Sequence, residues 1–201
     1  MAGKLRIAVF ASHSGSNLQS LIDGCAAGII SGEIVVVMSN NRKAYALERA
    51  QKYDIETVAI SDRDFDTETT YTQEIMRQLA TRRVELICLA GYMKRIPDEL
   101  IRAYRNRIVN IHPALLPKFG GKGMFGIHVH EAVLAAGERE TGVTIHLVNE
   151  VYDNGRILAQ RRVVVQPDET PESLQQRVLE IEHQLYPETV AKIASGELRL
   201  E

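Results

Sequence analysis

The sequence predicts an α/β protein with a Rossmann-like, mostly parallel open sheet, helices on both faces and an antiparallel strand pair near the carboxyl end. Short β-branched runs alternate with helical patterns through the first half of the chain, which is typical of βαβ units. Farther along, an Asn-Gly turn separates two strand-like runs, which favours antiparallel pairing. The 201 residues suffice for one good core and would be cramped as two, so we expect a single domain over residues 1–201.

The individual elements follow from the periodicity of the apolar residues and from the residues that interrupt it. Buried strands are predicted at residues 5–11, 33–39, 57–60, 85–90 and 108–111. Helices are predicted at residues 18–26, 44–53, 69–81 and 97–104, the last with a proline in its first turn, where proline is tolerated. The antiparallel strands are predicted at residues 144–149 and 156–165, and a last helix at 171–194.

The composition limits the partners that this chain can have. Charged residues make up 25% of the chain and balance to a formal net charge of -2, so we expect no bulk attraction for nucleic acid or an anionic membrane. No apolar run approaches the roughly 20 residues of a membrane helix, and the first residues lack a signal-peptide pattern. Cys25 and Cys88 have no metal-ligand spacing, which favours reduced thiols. We therefore expect a cytoplasmic monomer or homodimer that acts on small molecules.

The fifth predicted strand runs into Asn110 and His112, two residues apart. Alternate side chains of a strand share a face, so this amide and this imidazole are expected to project together from its carboxyl end. A hydrogen-bond donor beside a titratable acid or base suits acyl transfer, in which an oxyanion forms while a proton moves. An isolated Asn-x-His is a common sequence, so its meaning depends on its surroundings.

A second candidate lies after the first strand, where Ser12-His13-Ser14-Gly15-Ser16-Asn17 leads into a helix. The free backbone N–H groups of Gly15, Ser16 and Asn17 would form an anion site that the helix dipole strengthens. The segment lacks the glycine spacing of dinucleotide-binding proteins and the lysine of nucleotide triphosphatases, which argues against a nicotinamide dehydrogenase. The alternative is that Ser16 and Asn17 only cap the helix.

The order of four motifs resembles that of the folate-dependent formyltransferases over nearly the whole chain, from Arg6 to about Ala194. The motifs are Ser14-Gly15-Ser16-Asn17, Leu89-Ala90-Gly91-Tyr92-Met93, the run from Asn110 to Pro117, and Asp153-Asn154-Gly155. The resemblance implies the formyltransferase fold. It also implies transfer of a formyl group from the cosubstrate 10-formyltetrahydrofolate to the amine of N1-(5-phospho-ribosyl)glycinamide, without a metal, in de novo purine (IMP) biosynthesis.

The same resemblance implies the roles of particular residues. The catalytic residues would be Asn110, His112 and Asp153; the phosphoribosyl substrate would bind Gly15, Ser16, Asn17 and Glu182; the folate would bind Met93, Lys94, Arg95, Ile96, Asn110, Asn149 and Asp153. Asn110 would donate to the oxyanion, a protonated His112 would stabilise the same charge, and Asp153 would favour that imidazolium. Alternatively, Asp153 is only a turn residue, and Glu182 with His183 is a solvated helix face.

Three features depart from the pattern of the family. His13-Ser14 stands where a glycine and another small or polar residue are common. Glu68 stands where a basic ligand contact is expected, so that contact is lost, displaced, or taken by Arg63. Lys122 could replace it, or could be a solvated lysine on a flexible surface loop. The segment 118–127 before a helix starting near residue 129 is longer than usual, and its glycines predict a mobile flap over the site.

The same residues are compatible with other functions. His128, His130 and His146 suggest a metal, but no Cys or carboxylate set completes a ligand shell; His146 is expected to hydrogen-bond within its strand and the other two to support the site. A methionyl-tRNA formyltransferase would be expected to carry a further carboxyl-terminal domain and a basic surface, and a formyltetrahydrofolate hydrolase a regulatory amino-terminal domain. Sugar-amine formyltransferases and a catalytically silent phosphometabolite-binding module remain as alternatives.

Overall fold

The structure, a computed structural model, describes residues 3–201 and contains a seven-stranded sheet in the order β3-β2-β1-β4-β5-β6-β7. The strands are β1 (Leu5–Phe10), β2 (Gly32–Ser39), β3 (Thr57–Ala59), β4 (Leu86–Leu89), β5 (Ile108–His112), β6 (Glu140–Leu147) and β7 (Ile157–Val164). The helices are α1 (Ser16–Ala26), α2 (Tyr45–Gln51), α3 (Glu68–Thr81), α4 (Asp98–Ala103), α5 (Ile127–Ala135) and α6 (Pro171–Ala194).

The sheet confirms the predicted fold class. Strands β1 to β5 pair in parallel, and β7 pairs antiparallel with β6. The sequence did not predict that β6 also runs antiparallel to β5, with Asn110 opposite His146 and His112 opposite Thr144. That register brings a side chain from the later strand pair directly beside the predicted catalytic strand.

Most differences between the predicted and observed elements concern their ends. Strand β6 starts at Glu140, four residues before the predicted 144, because its first residues pair with the far end of β7. A short 3-10 turn over Asp62–Asp64 was not predicted, and a capping box between Ser61 and Asp64 stabilises it. The last helix has the predicted bounds, with Thr170 as its N-cap and Pro171 in its first turn.

Helices cover both faces of the sheet. On one face α1, α5 and α6 bury side chains such as Leu18, Val133 and Leu174 against the strands. On the other face α3 and α4 bury Ile75 and Leu100. The strands therefore carry apolar side chains on both sides, which is why their sequences are nearly continuous apolar runs.

Helix α6 is tied to the sheet at the end where the site lies. The hydroxyl of Tyr186, which is fully buried, donates toward the carbonyl oxygens of Leu89 and Val109, at 3.0 and 3.2 Å. Leu89 is the last residue of β4, and Val109 directly precedes Asn110 on the neighbouring parallel strand β5. One phenol thus holds β4, β5 and α6 in register at this end of the sheet.

Cys25 and Cys88 both carry free thiols, and complete burial raises the pKa of Cys88 to about 12. Over residues 3–201, no helix is both long enough and apolar enough to cross a membrane.

Candidate active site

A cavity of about 600 Å³ opens at the carboxyl ends of β1, β4 and β5, where ligands bind in open parallel sheets. Every residue that the sequence analysis assigned to catalysis or binding lines it: Gly15, Ser16, Asn17, Met93, Lys94, Arg95, Ile96, Asn110, His112, Asn149, Asp153 and Glu182. These residues come from segments spread over most of the chain. Their convergence in one cavity is the main structural finding about the site.

The amide of Asn110 is held by a second histidine. Its Nδ2 lies 3.1 Å from Nε2 of His146, while Nδ1 of His146 lies 2.8 Å from the carbonyl oxygen of Leu147. Because a carbonyl only accepts, Nδ1 carries the hydrogen, and in the neutral imidazole Nε2 accepts from the Asn110 amide. The amide nitrogen of Asn110 is thereby oriented, and one of its two hydrogens remains for a ligand.

The imidazole of His112 is buried between two acceptors. Its Nε2 lies 2.8 Å from the carbonyl oxygen of Phe119, and its Nδ1 lies 3.6 Å from Oδ2 of Asp153. Burial lowers the pKa of His112, and the charge of Asp153 only partly offsets this shift. Desolvation therefore outweighs the carboxylate in the site without ligand, which favours the neutral form of His112 there. The predicted stabilisation of an oxyanion by protonated His112 stays a prediction.

Asp153 reaches the site from the turn between β6 and β7. Its backbone adopts a left-handed conformation with φ of 51°, and its Oδ2 accepts from the N–H of Gly121 at 2.9 Å. Burial raises its pKa, but the contacts with His146 and His112 and the hydrogen bond from the N–H of Gly121 together lower it below its usual range, so the carboxylate stays ionised. Asp153 is thus more than a turn residue, because its side chain faces both histidines and is largely buried.

The turn after Asp153 permits no side chain at its glycine. A Cβ on Gly155 would lie 1.7 Å from the carbonyl oxygen of Leu147, the residue that also accepts from His146. Close approach of two backbones explains why the Asn-Gly turn signal falls at this place. The turn therefore fixes the depth at which Asp153 enters the cavity.

The loop of residues 13–17, called the phosphate loop after the ligand predicted for it, lines the same cavity. Gly15 is the N-cap of α1 with φ of 70°, and within the described chain no side chain caps this helix. The prediction that Ser16 and Asn17 merely cap the helix is therefore wrong; they are its first residues, and their N–H groups lie in the first turn, which has no intrahelical acceptors. This geometry is that of an anion site.

Glu182 of α6 closes the phosphate-loop end of the cavity. Nδ2 of Asn17 donates to its Oε2 at 2.6 Å, and burial raises the pKa of Glu182 to about 7. A buried carboxyl group that lines a cavity contradicts the alternative of a solvated helix face. The neighbouring His183 does not line this cavity; it lies beside a separate groove between α1 and α6.

The segment from Met93 to Ile96 is anchored by its neighbours. The N–H of Met93 donates to the buried hydroxyl of Ser12 at 2.8 Å, which ties this segment to the end of β1. The cationic group of Lys94 pairs with Asp62 at 2.8 Å, and that of Arg95 pairs with Asp98. Both ion pairs are exposed to solvent, so they hold these two side chains only weakly.

The glycine-rich loop, residues 118–126, packs directly on the catalytic candidates. Phe119 and Gly121 contact His112 and Asp153 through backbone atoms, and residues 121–126 line the cavity. Lys122 lines the cavity as well, whereas Arg63 does not, so of the two cations predicted to replace the missing basic contact only Lys122 is suitably placed. The structure places this loop over the site, as a flap requires.

Sequence reasoning gave His146 only a role within its strand, and the structure places it in the site. Its position on β6 is opposite Asn110, and the signal for that pairing lies in the fold rather than in the local sequence. His130 of α5 also lines the cavity, and burial lowers its pKa to about 4, so it is neutral under ordinary conditions.

Comparison with known proteins agrees with the geometry. The family model described as formyl transferase matches residues 5–190. The chain is 43% identical over 195 residues to the chloroplastic phosphoribosylglycinamide formyltransferase of Arabidopsis thaliana, covering 96% of this chain and 67% of that protein. It is 44% identical over 196 residues to the trifunctional purine biosynthetic protein adenosine-3 of Drosophila pseudoobscura pseudoobscura, covering 96% of this chain and 14% of that protein.

The structural likeness is equally extensive. The crystal structure of glycinamide ribonucleotide transformylase 1 from Symbiobacterium toebii superposes with a TM-score of 0.93 at 36% identity, covering 100% of this chain and 92% of that one. Together with these matches, the amide, imidazole and carboxylate at the carboxyl edge of the open α/β sheet identify a group-transfer enzyme. The chain belongs to the formyl transferase family.

Proposed function

We propose that this chain transfers the formyl group of 10-formyltetrahydrofolate to the amine of N1-(5-phospho-ribosyl)glycinamide, a step of de novo purine biosynthesis. One observation carries the proposal: a single cavity joins the Asn110, His112 and Asp153 cluster to a loop of free backbone N–H groups. A formyl acceptor that carries a phosphate needs both the cluster, for its amine, and the loop, for its phosphate. The name of the Arabidopsis relative supports the same reaction.

The acceptor would bind along the wall formed by α1 and α6. Its phosphate would accept hydrogen bonds from the N–H groups of Gly15, Ser16 and Asn17, with support from the helix dipole. Glu182, beside Asn17, would contact the hydroxyl groups of the ribose. The substrate amine would then lie near the other end of the cavity, where Asn110 and His112 are.

The folate would bind along Met93, Lys94, Arg95 and Ile96 and the neighbouring segment that starts at Asn149. Large apolar side chains surround this part of the cavity and are substantially exposed: Met93, Phe125, Val151 and Tyr152. Flat aromatic rings gain free energy when they cover such surfaces. This arrangement supports a folate as the formyl donor.

In the transfer, the acceptor nitrogen first bonds to the formyl carbon to form a tetrahedral intermediate, and the bond from that carbon to the folate nitrogen then breaks. Asn110 donates an amide hydrogen to the oxygen of the tetrahedral intermediate, because its other hydrogen is held by His146. One proton leaves the amine and one arrives at the folate nitrogen. His112 accepts the first, and the imidazolium that forms stabilises the oxyanion and is itself stabilised by Asp153. The imidazolium then gives this proton to the folate nitrogen as the bond to the formyl carbon breaks, which returns His112 to its neutral form.

The proposal is tested by mixing the purified protein with 10-formyltetrahydrofolate, with and without glycinamide ribonucleotide, and following both products. Equimolar, acceptor-dependent formation of tetrahydrofolate and formylated nucleotide is the expected result. Formate release without the acceptor would identify a hydrolase, and binding without turnover would identify a silent module; either result contradicts the proposal.

The remaining expectations extend this proposal. The seven strands of the sheet share one core on each face, which supports one formyltransferase domain over residues 1–201. A location in the cytoplasm and a monomer or homodimer stay predictions. Sedimentation of the purified chain would distinguish the two assemblies.

A further inference from the structure

We propose that Arg49 of α2 is a positioning residue that sets the phosphate loop in its anion-binding conformation from outside the cavity. The inference rests on the proposed function, because it assumes that the acceptor's phosphate binds at Gly15, Ser16 and Asn17. Arg49 itself does not line the cavity. Its effect on a ligand must therefore pass through the loop.

The carbonyl groups of the phosphate loop are occupied by α2. Nε of Arg49 donates to the carbonyl oxygen of Ser14 at 2.8 Å, and the N–H of Ala46 donates to the carbonyl oxygen of His13 at 3.0 Å. Both acceptors thus face α2, on the outer side of the loop. Hydrogen bonds from a charged donor are stronger than neutral ones, so the bond from Arg49 is the firmer of the two.

The planarity of the peptide bond converts this contact into an orientation of the next N–H group. In a trans peptide the carbonyl and the following N–H point in opposite directions, and the Ser14–Gly15 peptide is trans. A Ser14 carbonyl held toward α2 therefore directs the N–H of Gly15 away from α2, to the side of the cavity. Arg49 in this way orients the N–H of Gly15 without contacting it.

This orientation needs to be held, because the residue that follows is glycine. Gly15 has φ of 70°, and glycine adopts either sign of φ at little cost, so the peptide before it can rotate. A rotated Ser14–Gly15 peptide would present a carbonyl oxygen to the phosphate in place of an N–H. The bond to Arg49 opposes that rotation.

The side chain of Arg49 is itself fixed in place. Its Nη1 lies 3.2 Å from Oε1 of Gln19 on α1, and its guanidinium lies over the ring of Tyr45 at 4.9 Å from the centroid. The N–H of Gln19 in turn donates to the carbonyl oxygen of Gly15 at 2.9 Å. The planar fork of Arg49 therefore bridges α2, α1 and the loop, a geometry that lysine cannot reproduce.

The packing beneath the loop limits what else can hold it. A Cβ on Gly15 would lie 2.7 Å from the Cβ of Ala46, so the loop already rests against α2. This packing sets the distance between the loop and α2, but it does not fix the rotation of the Ser14–Gly15 peptide. The rotation is left to the hydrogen bond from Arg49.

The test compares Arg49→Gln, Arg49→Lys and a control, Lys52→Gln. Lys52 also contacts Tyr45, with its Nζ 3.1 Å from the ring hydroxyl. Lys52→Gln therefore changes the net charge by the same amount as Arg49→Gln but removes no contact with the loop. Binding of ribose 5-phosphate and of ribose is measured by calorimetry, together with kcat and KM for glycinamide ribonucleotide and the Kd of the folate.

For Arg49→Gln we expect about a tenfold weaker affinity for ribose 5-phosphate and a similar rise in the KM of the nucleotide. The kcat of Arg49→Gln and its Kd for the folate should match those of the wild type. The control Lys52→Gln should match the wild type in all of these measurements and in thermal stability. Arg49→Lys should recover little of the loss, since it restores the charge without the Nε–H bond. A merely structural defect would lower kcat and folate binding as well.

Wild-type affinity for ribose 5-phosphate in Arg49→Gln would overturn the inference and leave the formyl transfer intact. Full recovery in Arg49→Lys would also overturn it, because charge alone would then explain the effect. If the wild-type protein does not prefer ribose 5-phosphate over ribose, the loop is not a phosphate site and the inference fails. The transfer assay described above decides the proposed function separately.

Discussion

The side-chain nitrogen Nδ2 of Asn110 lies 3.1 Å from Nε2 of His146, across the antiparallel pair of β5 and β6. Because the other ring nitrogen of His146 is bound to the carbonyl of Leu147, this contact decides which way the Asn110 amide faces. The oxyanion donor of the proposed reaction is thus oriented by a residue from a strand that follows it by 36 positions in the chain.

Replacing that partner should impair catalysis without a comparable loss of binding. His146→Phe removes the acceptor that orients Asn110, so we expect kcat to fall about tenfold or more while KM changes little. Asn110→Ala should lower kcat by about a hundredfold or more, as loss of one oxyanion donor does elsewhere. In the double variant the two losses should not add, because they remove the same interaction.

Steady-state kinetics of the single and double variants measure this coupling. His128→Phe is the matched control, since His128 lies on the exposed surface of α5 and pairs with Glu131. Additive losses in the double variant would contradict the role assigned to His146.

The carboxylate of Asp153 should be visible in the titration of His112. Asp153→Asn removes a negative charge 3.6 Å from Nδ1, which destabilises the imidazolium and lowers the pKa of His112 further. If neutral His112 is the base, the acid limb of the kcat profile should move to lower pH, and kcat at its plateau should fall about a hundredfold. Asparagine also tolerates the positive φ at this position, so the turn should persist.

NMR of labelled histidine measures the pKa directly, with the His112 signal assigned by its absence in His112→Gln. Asp168→Asn, at an exposed position that also has a positive φ, serves as the control. A pKa of His112 that stays the same or rises in Asp153→Asn would show that the carboxylate does not act on the imidazole as proposed.

Glu182 should make stability depend on pH in an unusual direction. Burial raises its pKa from 4.5 to about 7, so the folded protein holds a proton that the unfolded chain releases. The stabilising effect of that proton is complete below about pH 4.5 and is lost as the pH rises through about 7. Glu182→Gln has no charge to bury, so its stability relative to the wild type should increase over this range by about 3 kcal/mol.

Denaturant unfolding at several pH values measures this difference. The control is Glu180→Gln, on the exposed side of the same helix, whose stability should run parallel to that of the wild type. A constant difference between Glu182→Gln and the wild type across the range would mean that the folded protein carries Glu182 ionised throughout.

The glycine-rich loop should tolerate little change at Gly120. A Cβ there would lie 2.5 Å from Cδ2 of Leu116 and 3.1 Å from the Cβ of Asp153, so Gly120→Ala must displace one of them. We expect a stability loss of about 1–3 kcal/mol and a fall in kcat, because Asp153 and the N–H of Gly121 would separate. Thermal unfolding and kinetics measure the two effects.

Lys122→Ala, in the same loop, should behave differently. It removes a cation that lines the cavity, so a higher KM for one of the two ligands is expected, with stability unchanged. Unaltered Michaelis constants for both ligands would exclude Lys122 as the basic contact.

An unchanged kcat in Gly120→Ala would show that the loop does not position Asp153.

The sequence was sufficient for the parallel part of the fold because each buried strand is a continuous apolar run between helical patterns. It was not sufficient for the partner of β6, because an apolar run reveals burial but not which strand lies beside it. The pairing with β5 and the early start at Glu140 depend on long-range contacts. The same limitation concealed His146, whose function follows only from the register.

The site residues were predictable where a local pattern carries the chemistry, as in Asn110, His112 and Gly15. The protonation of His112 was not, since it depends on a balance between burial and the charge of Asp153 that emerges only on folding. The position of Arg49 behind the phosphate loop was also inaccessible, because an arginine within a helical pattern carries no sign of the loop it contacts.

The attachment of α6 through Tyr186 has a consequence for synthesis on the ribosome. Residues 171–194 leave the exit tunnel after all seven strands, yet the Tyr186 hydroxyl joins β4 to β5 and Glu182 completes the cavity. Until this helix emerges, one apolar face of the sheet lacks its largest cover. The nascent chain therefore passes through a stage in which its strands have been made but its binding site cannot yet form, and apolar surface of the sheet stays exposed during that stage.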